Sequence, residues 1–215
     1  MTSKAQIIAE SIADSLRSQL SRTSSASLVV CGGSSPIEIF SYLNLQEIDW
    51  SLITIFLVDD RLVDPQSEHS NQRLIKTHFI QNKASLATLI PLSTDLTYLS
   101  ALPAKFTVTL LGMGTDGHFA SLFPDLLSKS EASSLPHPDL HSTSKPRIIT
   151  TPALGSPSVP RISMNLSLIL KSSRIILLAN GAEKQAVLAK AETDKTLPVH
   201  FLIYQTILPI EIESL

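Results

Sequence analysis

The sequence has one cysteine, Cys31, among its 215 residues. A single thiol excludes an intramolecular disulfide framework and a metal site built from cysteines. Cys31 follows two valines and precedes Gly32, so we interpret it as a small, buried apolar side chain.

The sequence also lacks an excess of charge of one sign and has no long apolar run. The 17 basic and 19 acidic residues give a net charge of −2, so we expect neither nucleic acid nor an anionic membrane as a partner. No apolar run approaches the roughly 18 residues that a membrane-spanning helix needs. The first ten residues lack the apolar stretch of a signal peptide. We therefore expect a soluble, cytoplasmic protein without an obligate protein partner.

Apolar and amphipathic segments alternate along the chain. Helical spacing of apolar residues and good capping residues predict helices over residues 5–20, 37–43, 71–79 and 182–190. Continuous apolar runs predict buried strands over residues 27–31, 52–58, 87–91, 106–111 and 174–179. This order predicts one domain over residues 1–215, a three-layer α/β/α, Rossmann-like fold with a mainly parallel sheet.

The stretch from 106 to 125 holds three of the seven glycines, directly after a predicted strand. A glycine-rich turn there would leave Asp116 and His118 at the carboxyl edge of the sheet, where open α/β sheets bind ligands. His118 is well suited to proton transfer near neutral pH. The alternative is that Asp116 caps a short helix and His118 is an ordinary residue in its first turn.

Three further segments could bind an anion. The sequence Gly-Gly-Ser-Ser-Pro at 32–36 joins a strand to a helix and offers unpaired backbone N–H groups. Arg61 ends a buried strand and can clamp a phosphate through two hydrogen bonds. Lys184 lies in the first turn of a predicted helix. Each also has a structural interpretation, as a capped turn, a sheet edge or a solvated lysine.

The remaining segments carry weaker signals. Residues 128–160 are rich in proline and serine, which predicts a long irregular loop that forms a flap over the site. His137 and His141 are spaced as zinc ligands on a helix, but the flanking prolines argue against a helix and hence against a metal site. Residues 197–204 read as an edge strand or a buried tail, with His200 a core residue.

Four stretches, in chain order, resemble the 6-phosphogluconolactonases. They are GGSSP at 32–36, DDR with the later SN at 59–71, GMGTDGHFASLFP at 112–124 and GAEK at 181–184. The corresponding family patterns are G-G-S-T-P, D-E-R with S-N, G-x-G-x-D-G-H-T-A-S-L-F-P and G-x-x-K. The chain departs from them at Ser35, Asp60 and Phe119, where the family has threonine, glutamate and threonine.

This resemblance implies hydrolysis of 6-phospho-D-glucono-1,5-lactone to 6-phospho-D-gluconate, in the oxidative pentose phosphate pathway, without a metal or organic cofactor. It implies that His118 is the general base and that Asp116 orients it. A position in the first turn of a helix would help keep His118 uncharged. The implied phosphate-binding residues are Gly32, Gly33, Ser34, Arg61, Arg161 and Lys184, with Asp59, Asn71 and Gly114 in support.

Two other functions compete. Glucosamine-6-phosphate deaminases also carry D-G-H, but it continues as I-A-F-N-E-P and accompanies a D-E-Y stretch, whereas this chain has ASLFP and DDR. A non-catalytic sugar-phosphate sensor would keep the phosphate turn without needing His118.

Overall fold

The computed structural model describes residues 2–128 and 137–215. The α-helices within these residues are α1 (Lys4–Leu20), α2 (Ile37–Leu43), α3 (Asn71–His78), α4 (Leu96–Ala101), α5 (Pro124–Ser128), α6 (Leu166–Ile169), α7 (Ala182–Lys190) and α8 (Pro198–Ile203). The strands are β1 (Ala26–Val30), β2 (Ile53–Leu57), β3 (Asp59–Arg61), β4 (Thr88–Ile90), β5 (Val108–Gly112), β6 (Ile148–Leu154), β7 (Val159–Met164), β8 (Ile175–Leu178) and β9 (Ile210–Glu213).

Six strands form a parallel sheet in the order β4-β2-β1-β5-β8-β9. Each neighbouring pair in it is parallel. The carboxyl ends of the central strands β1, β2, β5 and β8 therefore meet at one edge of the sheet. The loops that leave this edge carry the segments that the sequence singled out.

The two faces of the sheet pack against different helices. In β1, Leu28 and Val30 belong to an apolar cluster with α1 and α2, whereas Val29 belongs to a second cluster with α6 and α8. Every residue of β1 is buried, as an uninterrupted apolar strand in a two-sided parallel sheet should be. The predicted three-layer α/β/α architecture is confirmed.

A second, antiparallel sheet of three strands in the order β3-β7-β6 corrects the prediction of a long irregular loop. Residues 137–160 contain β6 and the start of β7, joined by a turn in which Gly155 has φ +72°. The prolines that suggested a loop fit these strands, because β6 is an edge strand and its pairing is irregular between Thr151 and Leu154. The rest of the predicted loop, residues 129–136, lies outside the described residues.

The chain near residue 200 corrects a second prediction. Residues 198–203 form helix α8 rather than an edge strand, and β9 occupies the edge of the parallel sheet instead. Pro198 stands in the first turn of α8, where its missing N–H costs nothing. The backbone N–H of Val199 donates to the carbonyl of Gly117 at 2.9 Å, so α8 braces the turn that follows β5.

Candidate active site

The turn after β5 brings Asp116 and His118 together. The backbone N–H of Gly114 donates to the carbonyl of His118 at 2.9 Å, and that of Gly117 donates to the carbonyl of Gly114 at 3.1 Å. Gly117 has φ +78°, and a Cβ atom on Gly114 would overlap the His118 ring. Glycine is required at both positions, for backbone conformation at one and for close approach at the other.

His118 and Asp116 form a hydrogen-bonded pair. The distance between His118 Nδ1 and Asp116 Oδ1 is 2.5 Å, and the backbone N–H of His118 donates to the same oxygen at 3.2 Å. Partial burial by itself raises the pKa of Asp116, but the hydrogen bonds and charge of His118 outweigh it and hold that pKa below its ordinary value. Asp116 is therefore a carboxylate that accepts the Nδ1 proton, which leaves Nε2 of His118 free to take a proton.

The expectation that His118 lies in the first turn of a helix is wrong. The next helix, α5, begins only at Pro124, so no helix dipole acts on the ring from that end. His118 instead stacks on Phe123, with ring centroids 4.3 Å apart and planes at 30°. Asp116 and Phe123 together fix the ring.

His118 borders a cavity of about 220 Å³ at the carboxyl edge of the parallel sheet. Eleven site residues were predicted from the sequence. Ten of them line this cavity, and the eleventh, Asp116, contacts His118. The lining consists of Cys31, Gly32, Gly33, Ser34, Ser35, Asp59, Arg61, Asn71, Gly112, Met113, Gly114, His118, Ala120, Arg161 and Lys184.

The Gly32–Ser35 turn forms one wall of this cavity. Gly33 has φ +80°, and a Cβ atom on Gly32 would overlap the Asn71 amide. The helix that follows, α2, is capped by Pro36 without a side-chain hydrogen bond, so the serine hydroxyls do not cap it. Lys184, in the first turn of α7, donates from Nζ to the Ser35 hydroxyl at 3.5 Å. Ser35 thus supplies the hydroxyl that the family pattern places there.

Arg61 is held by Asn71 on one side and is free on another. Its Nη1 donates to Asn71 Oδ1 at 2.5 Å, and Asn71 Nδ2 donates to the carbonyl of Asp59 at 2.9 Å. Arg61 Nε is buried and has no hydrogen-bond partner among the described residues. A buried donor without a partner costs free energy until an acceptor arrives.

Asp60 stands where the family pattern has glutamate. Its role is structural, which explains how the shorter side chain is accommodated. Its carboxylate accepts from the backbone N–H groups of Asn71 at 2.6 Å and Gln72 at 3.0 Å, and from the Ser70 hydroxyl at 3.3 Å. These groups form the start of α3, where a carboxylate is favoured. Asp60 does not line the cavity; it holds α3, and with it Asn71, in place.

Asp59 is a buried acid in the cavity wall. Burial raises the pKa of its carboxyl group, against the opposing effects of the Ser121 hydroxyl and of Arg61, Arg161 and His118. The Ser121 hydroxyl donates to Asp59 Oδ2 at 2.5 Å. Sequence reasoning missed Ser121, although the residue stands inside the ASLFP stretch. The contact joins positions 62 apart in the chain, so no local pattern could reveal it.

Arg161 lines the cavity, but two of its N–H groups donate to backbone carbonyls of its own hairpin. Its Nε donates to the carbonyl of Leu154 at 3.0 Å and its Nη2 to that of Pro157 at 3.3 Å. Burial, followed by the nearby charge of Arg61, lowers the pKa of Arg161. Its guanidinium carbon lies over the Phe123 ring, 5.2 Å from the centroid. Phe123 was not among the predicted site residues.

Phe119 and the remaining histidines lie elsewhere. Phe119 is fully buried in the core and does not line the cavity. His200 donates from Nδ1 to the carbonyl of Ala191 at 2.8 Å, and His141 contacts the Thr143 hydroxyl. Within the described residues no three metal-ligating side chains cluster, and none of the helices there combines the length and apolar character of a membrane span.

Comparison with known proteins gives consistent results. The family described as glucosamine-6-phosphate isomerases/6-phosphogluconolactonase matches residues 2–207. A 6-phosphogluconolactonase of Rhizobium meliloti is 32% identical over 97% of this chain and 92% of its own. The crystal structure of a 6-phosphogluconolactonase from Shewanella baltica superposes with a TM-score of 0.81 at 30% identity, over 98% of this chain and 92% of that one. A monomeric glucosamine-6-phosphate deaminase, at 18% identity and a TM-score of 0.70 over 98% and 92% of the two chains, shares the fold.

Proposed function

Because the chain belongs to the family of glucosamine-6-phosphate isomerases and 6-phosphogluconolactonases, we propose that it hydrolyses 6-phospho-D-glucono-1,5-lactone to 6-phospho-D-gluconate, the second step of the oxidative pentose phosphate pathway. The observation that carries the proposal is the composition of one cavity. A histidine oriented by a carboxylate borders the same space as two arginines and a lysine.

His118 acts as the general base in this proposal. Nε2 takes a proton from a water molecule while the water oxygen attacks the lactone carbonyl carbon. The bond from that carbon to the ring oxygen then breaks, and Nε2 returns the proton to the ring oxygen as it leaves. Asp116, whose lowered pKa keeps it ionised, stabilises the transient imidazolium. No net proton is gained or lost by the protein.

The phosphate group is assigned to Arg61, Lys184 and the Gly32–Ser34 turn, with Arg161 nearby. Arg61 Nε is a buried donor that an anionic oxygen would satisfy. Holding a remote phosphate positions the lactone carbonyl for attack and removes much of the entropic cost of the reaction. Asp59, Asn71 and Gly114 support this arrangement. The backbone N–H groups of the glycine-rich turns are the candidate donors for the oxyanion.

We further propose that residues 1–215 act as one domain in the cytoplasm, on a small phosphorylated lactone. The chemistry assigned to His118 calls for no metal or organic cofactor. We therefore expect the lactonase activity to survive dialysis against a chelator. Loss of activity that only an added divalent ion restores would contradict it.

The test follows the disappearance of 6-phosphogluconolactone, generated in situ, with wild-type protein, with His118→Ala and without protein. A blank is essential because the lactone hydrolyses unaided. We expect wild type to accelerate the reaction and His118→Ala to lose about 10²-fold or more. His78→Ala, which changes an exposed histidine at the end of α3, is the matched control and should retain full activity.

Other outcomes point to the competing functions. Release of ammonia from glucosamine 6-phosphate, without lactone hydrolysis, would assign the deaminase reaction. Tight binding of 6-phosphogluconate with a hydrolysis rate equal to the blank would assign a sensor. Equal rates for wild type and His118→Ala would keep the activity but remove His118 from the role of base.

A further inference from the structure

The His118 ring has two fixed contacts in the described residues. Asp116 holds its Nδ1 edge, and Phe123 covers a face at 4.3 Å. Asp116 stands only two residues away and its side chain is 47% exposed, so its hydrogen bond alone allows the ring to turn about that edge. Phe123 is only 4% exposed and is therefore the more rigid of the two contacts.

Phe123 is itself held by the hairpin of β6 and β7. The Arg161 guanidinium lies over the Phe123 ring and is fixed by the carbonyls of Leu154 and Pro157 at the hairpin turn. The turn also approaches the ring directly. A Cβ atom added to Gly155 would lie 2.7 Å from Phe123 Cζ and 2.9 Å from Arg161 Nη2. No side chain other than hydrogen fits at Gly155 without moving one of them.

We propose that Phe123 is a positioning residue for catalysis: it holds the His118 ring in the orientation that presents Nε2 to the cavity, and the β6–β7 hairpin holds Phe123. This inference rests on the proposed function, because it gives His118 the role of general base. It also assigns Arg161 a main part in supporting Phe123, in addition to any contact with phosphate.

The argument depends on how strongly proton transfer responds to geometry. A displacement of about 1 Å at a reacting group can cost about 10²-fold in rate. Substrate binding depends on the cations of the cavity. Phe123 contacts one of them, Arg161, which its own hydrogen bonds to the carbonyls of Leu154 and Pro157 hold in place without the ring. Loss of the ring should therefore lower kcat while KM stays nearly constant. General unfolding would instead reduce the fraction of folded protein and leave the kcat of the folded molecules unchanged.

The experiment compares Phe123→Leu with Phe79→Leu. Phe79 is likewise buried and stacked, on Phe40 at 4.7 Å, but it belongs to the core cluster that packs against α1 and α2. Both variants lose an aromatic stack and keep an apolar side chain. We expect kcat to fall about tenfold or more in Phe123→Leu with KM within twofold, and to remain at the wild-type value in Phe79→Leu once the folded fraction is corrected. Equal kcat values in the two variants, or an effect on KM alone, would overturn the proposal.

Two further measurements cover the case in which Phe123→Leu does not fold. Gly155→Ala acts from the hairpin and leaves Phe123 and His118 in the chain. We expect it to lower kcat as Phe123→Leu does, and to raise KM as well, because its Cβ atom would also displace Arg161. In wild-type protein, the ring protons of His118, assigned by comparison with His118→Ala, should show the upfield NMR shift of a stacked aromatic ring. Absence of that shift would refute the positioning role even if the wild type has no lactonase activity. An inactive wild type with the shift present would instead refute the proposed function alone.

Discussion

Arg61 and Arg161 lie directly opposite each other in the antiparallel ladder of β3 and β7, and both side chains line the cavity. Like charges at such positions destabilise a sheet, and the charge of Arg61 contributes to the lowered pKa of Arg161. The charges of Asp59 and Asp60 act on the pKa of Arg161 in the opposite direction, but burial and Arg61 outweigh them. A bound anion would relieve the repulsion.

The first prediction concerns Arg61. Arg61→Lys keeps the charge but removes the flat set of donors that can clamp two phosphate oxygens. We expect KM to rise about tenfold with kcat nearly unchanged, because the phosphate contact is the same in the ground state and the transition state. Steady-state kinetics measure this. Arg73→Lys, at an exposed position of α3, should leave both constants unchanged, and an unaltered KM in Arg61→Lys would remove Arg61 from the phosphate site.

The second prediction separates steric overlap from backbone strain at two glycines of the cavity. Alanine at Gly114 would overlap the His118 ring, whereas alanine at Gly33 meets no atom within 4 Å but must adopt φ +80°. We expect Gly114→Ala to lower kcat by about 10²-fold through displacement of His118. Gly33→Ala should instead lose about 1 kcal/mol of unfolding free energy and affect mainly KM. Urea titrations and kinetics on both variants provide the test, and comparable kcat values would contradict it.

The cavity could be predicted because its residues stand at the ends of apolar strands. Gly32, Arg61 and Gly114 each follow an apolar run that the sequence identifies as a buried strand, and parallel strands bring their carboxyl ends to one edge. The start of α2 and the place of Lys184 in α7 were equally visible, because glycine and proline mark the boundary between strand and helix locally. The resemblance to the family then selected the chemistry.

The errors have local causes. Pro152 and Pro160 argued against strands at β6 and β7. The irregular pairing and the edge position that tolerate proline can be recognised only in the folded sheet. Residues 197–204 are apolar in a run too short to distinguish strand from helix by periodicity, although Pro198 was an available signal for a helix start. Ser121 and Phe123 were missed because their partners, Asp59 and Arg161, are distant in sequence.

The third prediction concerns Cys31 at alkaline pH. Burial, together with the negative charge of Asp59, raises the pKa of its thiol from 9.0 to about 12. The folded protein therefore retains a proton that the unfolded chain loses above pH 9, so the contribution to stability is complete below pH 9 and is lost as the pH rises toward 12. Its slope is at most about 1.4 kcal/mol per pH unit.

Urea denaturation between pH 8 and 11 measures this contribution. The unfolding free energy of Cys31→Ala should fall less steeply with pH than that of the wild type, whatever packing the substitution costs. The native thiol should also resist iodoacetamide at pH 8 and react in urea. Parallel slopes for the two proteins, or rapid labelling of the native state, would show that the thiol is not held protonated by burial.

The fourth prediction concerns the hydrogen bond from Ser121 to Asp59. Ser121→Ala removes a donor at 2.5 Å from a buried carboxylate, and such a loss costs about 1–3 kcal/mol. The pKa of Asp59, already raised by burial, should rise further without that donor. A raised pKa means that stability is complete at acid pH and is lost as the pH rises through the folded-state value. The destabilisation should therefore be small when Asp59 is protonated and grow toward neutral pH.

Ser172→Ala is the matched control for this measurement. Ser172 is also buried, but its hydroxyl contacts only neutral groups, the carbonyl of Ile169 at 2.6 Å and the hydroxyl of Thr109 at 2.7 Å. Its substitution should cost a similar amount at every pH, because no titrating group loses a partner. The destabilisation is the difference in unfolding free energy between a variant and the wild type. If it varies with pH in the same way for Ser121→Ala and Ser172→Ala, Asp59 is not ionised in the cavity wall.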